Sequence, residues 1–466
     1  MALDDPEYGN DRLPGDHVQS ILRSEAAAGQ AIPDHLLRHE YRSLGTEDIA
    51  AERYFSPEFH RLEVERMWKR VWQIACRIED LPRIGSHYRY DLAAQSLLVV
   101  RVSDTEIKAY HNSCLHRGTM LRTAPTGVGP TLRCPFHGWT WNLDGTIKTI
   151  PGAWDFAHIA CDAQKTCLPE ALVETWGGFV FINFDKNAMP LAEYLEVIPE
   201  HFEAAGWRLE NAVKVAHVAA VVNANWKIFI ESVQESYHGP CTHPQLTPYY
   251  SGGDSQYDVY GPHTDRHLAL NAVPHPALRD TMGEQAIVEA MIGDMGFADM
   301  DVALGEGQTA RGYMTEVARA AVAGASGLDL ASESTASLLD NIAYSIFPSV
   351  SLCGGYNYPV VARSRPFGND PTKCIVEVYI LAHFAPGAPR PEPAAINWID
   401  PADWTAAPEL GVMGRIFNQD VGNMERMQLG LQASAKGAIS LANYMEVRIR
   451  HLHQTIDAYI AKGANQ

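Results

Sequence analysis

Residues 111–145 read HNSCLHRGTMLRTAPTGVGPTLRCPFHGWTWNLDG. Two short Cys/His pairs stand in this stretch, Cys114-x-His116 and Cys134-x-x-His137. Gly118 and Gly138 follow the pairs and permit tight turns, while Pro135 stiffens the second loop. Apolar runs flank the stretch, SLLVVRV from Ser96 and GGFVFINF from Gly177, broken by Gly, Pro and Asn turns. That texture predicts a small antiparallel β domain from about residue 66 to 186.

Two tight Cys/His pairs make a four-ligand metal site. Zinc accepts two thiolates and two imidazoles, but zinc-finger patterns keep cysteines with cysteines and histidines with histidines. Here each arm carries one of each, which suits a Rieske 2Fe-2S cluster, where two thiolates bind one iron and two neutral imidazoles the other. Backbone N–H groups of such loops can donate to sulfur, and Trp139 and Trp141 are placed to shield the site. Arg117, Arg122, Arg133 and Lys148 lie in the same segment, a local positive charge suited to docking an acidic electron donor.

That charge is local, because the chain as a whole carries 37 Lys+Arg against 56 Asp+Glu, a formal net charge of -19. Such a balance argues against nonspecific binding to nucleic acid or to anionic membranes. With 466 residues, 46% of them hydrophobic and 20% charged, disorder, collagen and a disulfide scaffold are excluded. No apolar stretch reaches the roughly 18 residues of a membrane span, and the acidic start lacks a signal-peptide pattern. A cytoplasmic protein is expected, its eight cysteines serving as metal ligands or small core residues rather than bridges. Cys241 is expected to be a buried small hydrophobe, and Cys161 and Cys167 have no assigned role.

A cluster alone needs about 120 residues, so the remainder has another task. In ANWKIFIESVQESYHGPCTHPQL, His238 and His243 follow a helix expected to end at Gly239-Pro240, a break that lets both rings converge on one ion. Non-haem iron(II) oxygenases use two histidines and a carboxylate on one face, leaving positions for dioxygen and substrate. Asp420 and Glu425, in RIFNQDVGNMERMQLGLQ, both qualify as the carboxylate, and spacing does not choose between them. Asp420 also reads as a charge at a helix N-terminus. His263-x-x-x-His267 has metal spacing without a supporting motif. The last helix is expected near 438–460, with Leu441, Met445, Ile449, Leu452, Ile456 and Tyr459 on its buried face. The stretch 251–340 carries weak periodicity and resists assignment. The expected fold class is α+β, in three parts: a helical extension over 1–65 packing on the catalytic domain, the β domain over 66–186, and a catalytic domain over 187–466.

CLHRG, CPFHGWTW, NWKxxxE, ExYHxxxxH and QDxxNMERMQLGLQ together resemble the α subunit, or terminal oxygenase component, of Rieske non-haem iron ring-hydroxylating oxygenases, over most of residues 40–460. The resemblance implies that Cys114, His116, Cys134 and His137 hold the cluster and that His238, His243 and Asp420 hold a mononuclear Fe(II). It implies a helix-grip catalytic domain, an antiparallel sheet with covering helices, assembled as a homotrimer that some members extend with β subunits. Glu235 stands where the family carries a catalytic acidic residue, most often Asp, that bridges the two metal sites across a subunit boundary, with His137 as the cluster ligand it meets.

The implied activity is oxygen insertion from O2 into a small organic substrate, by hydroxylation or dihydroxylation. An aromatic or polycyclic substrate is the first expectation. The alternative is a monooxygenase or demethylase acting on an N-methyl, O-methyl or steroid-like substrate. No GxGxxG opens a βαβ unit, so NAD(P)H electrons must come through a ferredoxin or flavin reductase partner. A Rieske electron-transfer protein with a non-catalytic second domain is the rival class, and it would need neither ExYHxxxxH nor a distant carboxylate.

Overall fold

The computed structural model describes residues 15–159, 162–297, 301–356 and 360–463. The first fourteen residues of the N-terminal lead-in, and Cys161, lie outside that set. The chain forms two compact units. One comprises Arg61–Tyr194 with Pro366–Asp370 and the last helical turns from Tyr459; the other contains the N-terminal residues to His60, Leu195–Arg365 and Pro371–Ala458.

The smaller unit is built on a seven-stranded sheet. Its strands Ser86–Leu92, Gln95–Arg101 and Ile107–His111 form an antiparallel meander, and Glu170–Trp176 and Phe179–Asn183 form a hairpin paired to it. Val99, Val100, Phe179, Val180, Phe181 and Ile182 are buried, so these strands carry near-continuous apolar runs instead of alternating ones. A second, three-stranded sheet of Leu132–Arg133, Thr140–Trp141 and Ile147–Thr149 carries one Cys/His loop. Beneath it Leu98, Tyr110, Leu132, Trp139, Trp141 and Leu168 pack together with Cys114 and Cys134.

The larger unit has an eight-stranded sheet in the order Gln256–Val259, Thr264–Ala269, Asn341–Ile346, Val350–Gly354, Val360–Pro366, Cys374–His383, Ala212–Val222 and Asn397–Trp398. It is antiparallel except at its edge, where Asn397–Trp398 runs parallel to Val218 and Ala219. Helices Glu284–Asp294, Ala310–Ser326 and Val412–Ala433 belong to the same unit. The fold is α+β as expected, a small antiparallel β domain and a curled antiparallel sheet flanked by helices. Among the described residues no helix is long and apolar enough to cross a membrane.

The stretch 251–340 resisted reading because its strands bury polar residues on both faces. All six residues of Thr264–Ala269, TDRHLA, are buried. Arg266 pairs with Asp258 at 2.7 Å, and Asp265 meets Arg448 and, at 3.0 Å, His451. These pairings satisfy charges that would otherwise forbid burial, and they erase the alternation that marks a strand.

Helix boundaries differ from expectation in two places. The helix after Asn225 runs only over Trp226–Ser232, and Gly239–Thr242 is a separate single turn that Pro240 begins instead of ends. Proline has no N–H to lose in a first turn, so it suits a start. The last helix begins at Val447, which leaves Leu441 and Met445 outside it; Ile449, Leu452 and Ile456 are buried as expected, and Tyr459 is half-buried.

Candidate metal centres

The two Cys/His loops share one backbone design. Cys114 N–H donates to the Thr119 carbonyl at 2.9 Å and Gly118 N–H to the Cys114 carbonyl at 2.9 Å; Cys134, Trp139 and Gly138 repeat the pattern at 2.8 and 3.2 Å. Gly118 and Gly138 take φ of 77° and 78°, a left-handed conformation that a Cβ disfavours, so the glycines close both loops. Each loop spans five residues from cysteine to closing residue, yet the histidine sits second after Cys114 and third after Cys134. Cys114 and Cys134 are 3% and 2% exposed, whereas His137 stands at the surface. Trp139 stacks on His116 with planes 2° apart and centroids 5.4 Å apart, the shielding its position suggested.

The donors pair like with like. His116 Nδ1 lies 3.1 Å from His137 Nδ1, and the two thiols are hydrogen-bond neighbours. Burial works to raise the Cys134 thiol, but the N–H groups of Phe136 and His137 and the neighbouring Cys114 thiol outweigh it and hold the group below its ordinary value. Among the described residues, the one group of three or more Cys, His, Asp or Glu whose donor atoms lie within 4.8 Å of one another is His238, His243 and Asp420. A single zinc holds its donors about 2.0–2.3 Å from one centre, hence closer to one another than the Cys/His set comes. Thiols on one side and imidazoles on the other fit a 2Fe-2S cluster.

Of the four basic residues in this segment, Arg122 is diverted from the surface. Its guanidinium donates to the carbonyls of Leu121, Arg133 and Thr131 at 2.8, 3.1 and 2.8 Å, tying the segment between the loops. Arg117 and Arg133 remain exposed, and Arg117 lies over the Phe136 ring at 5.4 Å.

The second centre is assembled from distant segments. Helix Val412–Ala433 buries Gly414, Phe417, Val421, Met424 and Gln428 at helical spacing, and Asp420 lies on that same face. It is therefore a mid-helix carboxylate aimed inward, not an N-terminal charge. Its Oδ1 lies 2.9 Å from His243 Nε2 and 3.5 Å from His238 Nε2, and the two Nε2 atoms are 3.3 Å apart. Glu425 instead accepts from Asn223 at 2.9 Å on the exposed side.

Each imidazole is oriented through its other nitrogen. His238 Nδ1 donates to Glu235 Oε1 at 2.5 Å while the His238 backbone N–H donates to Oε2 at 3.0 Å. His243 Nδ1 donates to the amide oxygen of Gln419 at 2.9 Å, and Gln245 donates to the same oxygen at 2.8 Å. With Nδ1 the donor in both rings, both Nε2 lone pairs face Asp420. Burial would lower His238, but Asp420 and Glu235 push it up to about 10, so without a metal its Nε2 holds a proton against Asp420 in the place a metal ion would take. Two inward lone pairs and a buried carboxylate fit a divalent metal with open positions. Gln419 was missed in sequence. Its adjacency to Asp420 is the one local hint, and nothing local links it to His243.

The triad lines a cavity of about 200 Å3 inside this unit. Its wall takes residues from the His238 turn, from helix Val412–Ala433, from the strands Asn341–Ile346 and Val350–Gly354, and from the unassigned stretch. His267 is there, its Nε2 2.7 Å from Ser236 Oγ, whereas His263 lies 3.3 Å from Glu196, so the two do not form a metal pair. Cys241, expected to be buried, is exposed on the Gly239–Thr242 turn. A four-residue turn has too little inward surface to cover it.

A Rieske [2Fe-2S] domain and a mononuclear metal-binding triad are thus both present. Residues 71–160 match the Rieske [2Fe-2S] domain family, and 209–462, more than half the chain, match the ring hydroxylating alpha subunit (catalytic domain) family, to which the chain belongs. It is similar to the glycine betaine monooxygenase oxygenase subunit of Pseudomonas aeruginosa, 30% identical over 196 residues, 41% of this chain and 44% of that protein. The match thus spans less than half the length of that relative. Two solved structures share the fold. A quaternary ammonium Rieske monooxygenase in complex with L-carnitine has a TM-score of 0.62 at 16% identity, over 88% of this chain and 95% of that one. A naphthalene 1,2-dioxygenase variant bound to phenanthrene has 0.63 at 17%, over 90% and 93%.

Proposed function

We propose that the chain is the terminal oxygenase of a Rieske system and inserts oxygen from O2 into a small N-methylated or quaternary amine. The observation that carries the activity is the His238, His243 and Asp420 triad, the two histidine Nε2 atoms turned inward, in the wall of a cavity. Iron(II) at the triad would supply dioxygen activation, with the cluster at Cys114, His116, Cys134 and His137 supplying electrons one at a time. The chain's own contribution is to present three donors on one side, to fix both rings through Glu235 and Gln419, and to keep the opposite side open to the cavity.

This reverses the ranking drawn from sequence, where an aromatic or polycyclic substrate stood first. The relative named for glycine betaine favours the alternative. So does size, since about 200 Å3 is small beside the roughly 300–1,000 Å3 of ordinary ligand pockets. The likenesses to the carnitine-bound monooxygenase and to the naphthalene dioxygenase bear on fold and leave substrate open.

The same reading includes a Rieske domain over 66–186, a catalytic domain over 187–466, and the lead-in 1–65 packed on the latter. It includes cytoplasmic placement, a ferredoxin or flavin reductase donor, and a homotrimer with or without β subunits. In that trimer Glu235 bridges to His137 of a neighbouring subunit; within the chain its carboxylate is bonded to His238. Turnover under 18O2 with a reconstituted electron donor tests the proposal. Label in the hydroxylated amine, or formaldehyde released from an N-methyl group, is expected, and a cis-diol from an aromatic panel with no amine turnover would overturn it.

A further inference from the structure

The cavity's charges narrow the substrate further, on the premise that it is an N-methylated amine. No Lys or Arg is among the described residues lining the cavity, whereas Asp294 lines it together with Tyr249, Tyr250 and Phe417. Asp294 comes from the end of helix Glu284–Asp294, and its Oδ2 accepts from Tyr249 Oη at 2.6 Å. Its Oδ1 meets Arg415, whose side chain is 48% exposed and so keeps much of its charge in solvent, while Asp294 is 12% exposed. A carboxylate beside phenol and benzene faces is suited to an ammonium, which gains both from the charge and from the rings.

Apart from Asp294, the triad and Glu235, the polar wall is neutral. Ser236 Oγ joins His267 Nε2 at 2.7 Å and Tyr250 Oη at 3.4 Å, and Asn341 Nδ2 donates to Tyr250 Oη at 3.1 Å. Burial, reinforced by Arg448, holds the His267 ring well below the ordinary histidine value, so it offers no positive charge. Arg448 itself is fully buried and spent on Asp265, on the Gln234 carbonyl at 3.0 Å and on Ser345 at 2.8 Å. Away from the metal position, a substrate carboxylate would meet no Lys or Arg among the described lining residues, and desolvating it without such a partner is costly. A hydroxyl would find donors and acceptors.

We propose that the cavity selects a small monocation lacking a carboxylate, an N-methylated amino alcohol, with Asp294 as counter-charge and the Ser236, Tyr250 and Asn341 wall taking its hydroxyl. Relatives named for carboxylate-bearing amines would then differ from this chain in their substrate.

Calorimetric titration of the iron-loaded, oxidised protein with three probes decides it. Choline has cation and hydroxyl, glycine betaine has the same head with a carboxylate, and 3,3-dimethylbutan-1-ol is the neutral carbon copy of choline. Choline should bind tightest, with the other two weaker by about tenfold or more, a gap of about 1.4 kcal/mol. Asp294→Asn should weaken choline by about tenfold and leave the neutral alcohol unchanged. If that variant fails to fold, the three-probe comparison on the parent still decides. Glycine betaine binding as tightly as choline overturns this inference and leaves the amine reading standing, and so does equal binding of the neutral copy. Failure of both quaternary amines to bind while an aromatic hydrocarbon does overturns both.

Discussion

The two metal-bearing regions are built on opposite plans. At the Cys/His site all four donors come from 114–137, each loop is closed by its own backbone, and His137 reaches the surface. At the triad two histidines from one turn wait for a carboxylate from helix Val412–Ala433, and side chains, not backbone, fix each ring. A site closed by local backbone depends little on the rest of the fold. One assembled by side chains from distant segments exists only once the larger unit has packed.

The sharpest break of the comparison is removal of a donor, with all-or-none effects. Cys134→Ala should abolish the visible absorption of the cluster while the protein still binds one mononuclear iron. Asp420→Ala should do the reverse, keeping the absorption and losing that iron, because a three-donor site reduced to two imidazoles holds a divalent metal poorly. Glu425→Ala should change neither. Iron counting alongside absorption spectra reads all three, and loss of mononuclear iron in Glu425→Ala with its retention in Asp420→Ala would reverse the assignment.

The same contrast explains what was legible. The two Cys/His loops follow from spacing because loop geometry is local: Gly118 and Gly138 adopt the positive φ their positions suggested. His238 and His243 were legible for the same reason, though the helix taken to end at Gly239-Pro240 had already stopped at Ser232. Asp420 could not be separated from Glu425 by pattern, since both lie in one helix and only its packing shows which side is buried. Gln419 was invisible because its partners, His243 and Gln245, belong to another segment. The strands Gln256–Val259 and Thr264–Ala269 were hidden by buried ion pairs, a long-range solution that leaves no periodicity behind.

Weakening the orienting groups sharpens the comparison at an intermediate scale. Gln419→Leu removes the acceptor of His243 Nδ1 and frees that ring to rotate or change tautomer. Loss of such a partner costs roughly 10–100-fold in metal affinity or activity. Glu235→Gln leaves one oxygen where two accept, from His238 Nδ1 and from its backbone N–H, so one bond is lost. Its expected effect is of the same order on turnover, with the cluster spectrum intact in both variants. A cluster spectrum altered by Gln419→Leu would mean that the two regions are not built independently.

The smallest effect is expected at the surface beside the cluster, where Arg117, Arg133 and Arg122 look alike in sequence but not in structure. Arg117 is exposed over Phe136, itself 57% exposed, and Arg133 is exposed as well. Such groups meet a docking electron donor through solvent, where one ion pair is worth about 1 kcal/mol or less and is screened over roughly 8 Å at physiological salt. Arg117→Glu should therefore slow reduction by the protein donor, by roughly fivefold for the one pair lost and somewhat more for the like charge introduced, with the difference fading as salt is raised. Reduction by dithionite, which needs no docking, should be unchanged. Arg122→Glu should behave differently, because its three carbonyl bonds hold the segment between the loops; its defect should appear as cluster loss that salt does not alter. Equal donor reduction rates for the parent and Arg117→Glu across a salt series would remove the docking role and leave the exposed arginines as ordinary solvated charges.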